Sequence, residues 1–237
     1  MSSYSPPSSR FQTLPQLSPT TKNYLGISQR WLVFAAAIFL IVAPVFMEAP
    51  LVRTFPWLSL ALTINWLGSG LFMMSRPATR LWGDLFVGFS WIWLSGSIYW
   101  GWWRWEPLLH LPIEAIALPI VLGCLACQKG KVGGYFYLGS LLGATITDLY
   151  FYWVGLIPYW RRLMQVDSRS IHAVLQAALG QMQTFQGVRC ASILLILLLI
   201  LGLLPLQSRS LHWWAFSGAV LSTILVDSLF FLAAVLA

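Results

Sequence analysis

Asp148 and Asp227 each stand near the middle of an apolar stretch long enough to cross a bilayer. A carboxylate at that depth costs about 2.5–3.5 kcal/mol on insertion scales, so it turns toward a cavity or a partner. Two chemistries suit such a group: relaying protons, or serving as a polar ligand for a substrate. The structural alternative is a hydrogen bond across a helix pair to Thr145, Thr147, Ser222 or Thr223. Glu48 follows Pro44 near the exit of the first apolar stretch, with Arg53 in reach beyond Pro50. Asp148, Asp227 and Glu48 are therefore the candidate substrate- or proton-binding residues.

Two further acids could serve an acid-catalysed reaction. Asp84 lies one turn after Arg80, a spacing that also suits a plain i, i+4 ion pair. Glu114 follows Pro112 at the start of a segment, where the helix macrodipole favours a negative charge, and His110 is one turn away. Before them comes YWGWWRWEP, Tyr99 to Pro107, the densest aromatic stretch of the chain. Tryptophan and tyrosine gather at membrane interfaces. The same rings could line a pocket for a flat apolar ligand or a carbocation.

Other chemistries fail on missing parts. Cys124 and Cys127 form a CxxC at the C-terminal end of a segment, where the dipole does not favour a thiolate, and only Cys190 remains as a third cysteine. Four-ligand zinc fails on count, so neither a metal nor a cofactor is expected. Gly68-Ser69-Gly70 has no histidine within the membrane to activate the serine, since His110, His172 and His212 fall at segment edges. The chain has no Walker A string and no paired aspartate-rich motif for a magnesium diphosphate. Its basic residues are scattered singly or in pairs without an aromatic-basic patch, which excludes nucleic acid as a partner.

The elements that must position these residues are helices in lipid. Of 237 residues, 58% are hydrophobic and only 9% are charged, against about 25% charged in a soluble domain. Mean hydropathy is +0.74. Too few charges remain to cover a water-facing surface, so the bilayer is the solvent. Lipid-exposed strands cannot satisfy their backbone there. The expected fold is all-α, a polytopic transmembrane bundle over residues 30–237, with segments at about 31–52, 56–75, 81–100, 112–127, 135–157, 190–206 and 213–236. The fourth is short and opens at Pro112, so it either spans or re-enters, giving six or seven spans.

Residues 1–29, rich in Ser, Pro and Thr, lack a core-forming pattern and read as a disordered tail. Basic residues in the tail and in the second and fourth loops place the N-terminus in the cytoplasm, although the arginines of loop 158–189 break the rule. That loop carries an amphipathic helix at about 170–187, with Ser170 as N-cap. Its polar face holds Gln181, Gln183 and Gln186 rather than Lys or Arg, which favours packing on the bundle over floating in the interface. Finally, GSLLGATITDLYFY from Gly139 and GAVLSTILVDSLFF from Gly218 align without gaps and place Asp148 on Asp227, a weak internal repeat of the kind common in transporters.

Over nearly its whole length the chain resembles an uncharacterised family of cyanobacterial integral-membrane proteins, on the stretch GSIYWGWWRWEPLLHLPIEAIALP. The resemblance implies a thylakoid or plasma membrane, and photosynthetic complexes or a lipophilic ligand as partners. More locally, Asp84 to Pro119 is similar to the small membrane lycopene cyclase domain. Asp84 matches its first acid and Pro112-Ile113-Glu114 its Pro-x-Glu, while Ala115 replaces the second Glu. Three functions follow: a small-molecule or proton-coupled carrier using the intramembrane aspartates; a non-catalytic accessory or assembly factor for photosynthetic complexes, using small-residue faces such as Gly139-x-x-x-Gly143; and an isoprenoid- or carotenoid-modifying enzyme using Glu114 and Asp84.

Overall fold

The computed structural model describes residues 19–167 and 170–236, and there it is helical without strands. The helices are α1 (Pro19–Thr54), α2 (Pro56–Met74), α3 (Arg80–Ile98), α4 (His110–Glu114), α5 (Leu118–Ala126), α6 (Lys131–Val154), α7 (Ile157–Leu163), α8 (Ile171–Met182), α9 (Phe185–Leu203) and α10 (Leu211–Leu236). Of the tail expected to lack structure, residues 1–18 lie outside the described part, and α1 begins at Pro19.

Among the described residues, five segments are long and apolar enough to cross a membrane: Ser28–Thr54, Pro56–Met74, Pro107–Ala126, Phe185–Gln207 and Leu211–Leu236. α6 joins them when paired with α7, from which it is bent by 101°. The protein is therefore a multi-pass membrane protein. α3 has the length of a span but is less apolar, and its position explains why. It packs against α1, α2 and α6, and it buries Ser90, Ser95 and Ser97 together with Gly83 and Gly88. A helix sheathed by protein does not have to be soluble in lipid.

Side-chain contacts fix the direction of each leg. Across α2 and α3, Ser59 meets Ser97 at one end and Gly70 meets Val87 toward the other, so the two run antiparallel. Across α6 and α10, Gly139 meets Ala219, Gly143 meets Thr223 and Thr147 meets Asp227. Partners there stay 80 residues apart along the contact, so α6 and α10 run parallel. A Cβ on Gly143 would run into Thr223 Oγ1, and one on Gly139 would lie 2.6 Å from the Phe216 carbonyl. The small residues are what allow this close approach. The Gly139-x-x-x-Gly143 face is thus covered by α10.

The fourth leg starts at Pro107, five residues before the expected Pro112. It is broken rather than re-entrant. It runs antiparallel to α6, from His110 beside Asp148 to Leu125 beside Gly134. Its central turn, Ala115–Ala117, is 3-10, and Leu118 N–H donates to the Ala115 carbonyl. The Glu114 carbonyl loses that donor, and the Tyr137 hydroxyl supplies one at 2.6 Å. In hydrocarbon such a replacement is obligatory.

Gly155, at φ +74°, ends α6 in the left-handed conformation that glycine adopts without steric cost. The chain then turns into α7, a short helix not anticipated from the sequence. α8 stops at Met182, not near residue 187, because Thr184 caps the next helix by accepting from Gly187 N–H at 3.1 Å. Gln181 donates to the Val154 carbonyl at 2.8 Å and Gln186 to that of Trp153 at 3.1 Å. The glutamines therefore satisfy the open carbonyl end of α6.

Candidate functional site

The polar side chains meet in the half of the bundle nearest α7. His110 is the hub. Its Nδ1 lies 3.0 Å from Asp148 Oδ1 on α6, and its Nε2 lies 3.2 Å from Glu114 Oε1, one turn along its own helix. The Tyr99 ring covers the imidazole at 4.6 Å between centroids. Tyr99 opens a π-helical turn, Tyr99–Trp103, that continues α3. Single π turns inside helices re-aim side chains and recur at functional positions. One residue back along α6, Thr147 donates to Asp227 Oδ2 at 2.9 Å.

An imidazole between two carboxylates has one defined capability. As imidazolium it donates to both. As neutral imidazole it donates to one and accepts from the other, so a proton taken at one nitrogen can leave from the other. Among the described residues no three His, Cys, Asp or Glu side chains converge as ligands would, because here the imidazole stands between the acids. The crevice beside Glu114, lined by Ile92, Ser95, Tyr137, Ser140 and Leu141, has no room for a water molecule.

Glu48 forms a second polar group nearby. It is 6% exposed, and the Ser97 hydroxyl donates to its Oε1 at 2.7 Å. Ser97 in turn shares a 2.7 Å hydrogen bond with Ser59, whose carbonyl accepts from Trp93 Nε1. The absence of a side chain at Gly96 makes room for the carboxyl, since a Cβ there would lie 2.8 Å from Glu48 Oε2. Glu48 thus turns into the bundle rather than toward Arg53, which stays exposed.

Asp84 lies elsewhere. Its Oδ2 accepts from Val132 N–H at 2.9 Å and its Oδ1 from Gly133 N–H at 3.2 Å, so it caps α6 instead of pairing with Arg80. Asp148 is sixteen residues further along that helix, about 24 Å at 1.5 Å per residue. Asp84 and Glu114, paired by the cyclase resemblance, are not brought together.

α7 covers the site from the loop side. Trp160 Nε1 donates to the Arg104 carbonyl at 2.7 Å, and Arg161 Nη2 lies 2.7 Å from Glu106 Oε1. This bond holds the Glu106 carboxyl below the usual carboxylate range. The aromatic run is thereby tied into the cover: Trp100 packs on Trp160, which also packs on Phe151. The sequence placed His110 one turn from Glu114 but gave no sign of its contact with Asp148, 38 residues away.

Fold and cluster together define a polytopic membrane protein with an acid–imidazole–acid chain in one half of its helix bundle. The chain belongs to the family described as "Protein of unknown function (DUF3120)", whose model matches residues 37–235. No curated protein and no solved structure matches it.

Proposed function

We propose that the protein is a proton-coupled carrier of a small molecule, with Glu114, His110 and Asp148 as its proton relay and Glu48 as a flanking proton-holding group. One observation carries this reading: both nitrogens of a single imidazole face carboxylates contributed by two different helical legs. A purely structural aspartate needs only one hydroxyl partner, as Asp227 has in Thr147. The weak repeat adds support, because its two copies pack side by side. Under the same reading the N-terminus is cytoplasmic. Arg76, Arg80, Lys129, Lys131 and Arg209 fall in or beside the short loops at the α1 start; at the opposite end Arg161 is paired with Glu106, the short loops there carry only Arg53 and Arg104, and Arg162 and Arg189 belong to the long connection from α6 to α9. The thylakoid or plasma membrane of a photosynthetic bacterium is its setting.

The test uses purified protein in vesicles loaded with a pH-sensitive dye. Inorganic ions, organic acids and amino acids are added in turn. At least one solute is expected to drive proton movement with the native chain, falling at least tenfold in His110→Gln and Asp148→Asn. Solute-driven proton movement that stays at the native level in both variants would overturn the relay, and none across the panel would overturn the carrier.

A further inference from the structure

The other end of the bundle carries a different feature. Arg80, Lys129 and Lys131 are exposed there, and none forms an ion pair among the described residues. The acid beside them, Asp84, has both carboxylate oxygens bound to the first backbone N–H groups of α6. It therefore fills that helix terminus, and none of the three cations makes a direct ion pair with it.

Below these cations a cleft of about 50 Å³ opens between α3, α5 and α6. Val87, Trp91, Ile120, Val121 and Cys124 wall it, Gly130 and Gly134 leave its floor without side chains, and Asp84, bound to the α6 backbone, closes its end. Ile120 is 51% exposed, so the cleft opens sideways toward lipid rather than into the bundle. The volume is far below the roughly 300–1,000 Å³ of a small-molecule pocket. A groove this shallow suits a chain laid along it. An apolar groove topped by unpaired cations is complementary to an anionic amphiphile.

We propose that this groove holds one anionic phospholipid, an acyl chain lying along Trp91 and Ile120 and the headgroup phosphate held by Arg80 and Lys129, with Lys131 flanking. The site is independent of the proton relay and of what the protein carries.

Native mass spectrometry of the full chain in mild detergent tests it, with phosphatidylglycerol or phosphatidylcholine as the added lipid. One phosphatidylglycerol is expected to stay bound under activation that strips phosphatidylcholine. The triple variant Arg80→Gln, Lys129→Gln, Lys131→Gln should lower its occupancy at least tenfold. Ile120→Trp, which fills the groove without touching a charge, should lower it too. Should the triple variant elute as aggregate, Lys129→Gln alone should give a two- to threefold loss. Arg76→Gln with Arg209→Gln, cations of the same end outside the groove, should leave occupancy unchanged. Equal retention of both lipids, or an equal loss in that control, would overturn the proposal. Displacement of the lipid by inorganic phosphate at matched concentration would do so as well, marking a free-anion site.

Discussion

Thr147, not Asp148, is the residue of α6 that meets Asp227 of α10. The repeat alignment pairs the two aspartates at a spacing of 79, whereas the packed helices pair residues at 80. Successive residues on a helix point about 100° apart. That one-residue difference leaves Asp227 to a hydroxyl and turns Asp148 to His110.

The two aspartates should therefore respond differently to amidation. Asp148→Asn removes the carboxyl group that faces His110 Nδ1 and should abolish proton-coupled flux in vesicles while the protein still accumulates in the membrane. Asp227→Asn keeps an oxygen that can accept from Thr147. It should cost less than about 1 kcal/mol of stability and leave most of the flux. Equal loss in both variants would mean that the aspartates act as one site.

The crossing of α6 and α10 should be sensitive to single methyl groups. Gly143→Ala places a Cβ against Thr223 Oγ1 and within 3.1 Å of Thr223 Cβ. Overpacking of this kind costs about 1–3 kcal/mol. The double variant Gly143→Ala, Thr223→Gly moves the methyl to the other helix and should recover much of the loss. Thermal unfolding in detergent reads both, and a double variant no more stable than the single one would show that helix contact at this point does not limit stability.

Hydropathy alone revealed most of the bundle, because lipid demands apolar length whatever the packing. It could not separate α3, whose serines and glycines mark a helix surrounded by protein, from its lipid-facing neighbours. The start of the fourth leg was obscured by three prolines, at 107, 112 and 119, each able to open a helix. The Glu106 carboxylate, accepting from Leu108 N–H at 3.3 Å, favours the first. Isolated acids in apolar strings were visible as candidates, but their partners were not. Ser97 is 49 residues from Glu48, and no local pattern encodes that contact. Gly155, which folds α7 back over the site, looked like any other glycine in an aromatic run.

The glutamines of the α8 region should hold the cover in place. Gln181→Ala and Gln186→Ala each leave a terminal carbonyl of α6 without its donor. Each should cost about 1 kcal/mol, and the pair should raise protease cleavage between α7 and α8 well before global unfolding. Unchanged cleavage in the double variant would assign the cover's stability to its apolar contacts instead.

The Glu106–Arg161 pair gives a pH signature with a definite sign. Both side chains are partly exposed, 29% and 42%, so the pair is worth at most about 1 kcal/mol. Arg161 lowers the folded-state pKa of Glu106 below the unfolded value, which is about 4.3. Its stabilisation is therefore fully present above that value and is lost as the pH falls through the lowered folded-state pKa. Glu106→Gln should melt slightly below the native chain at neutral pH, and the gap should close on acidification below about pH 4. A gap that persists unchanged into acid would mean that Glu106 acts through its Leu108 N–H bond, which the amide oxygen of glutamine can mimic only in part, rather than through the arginine.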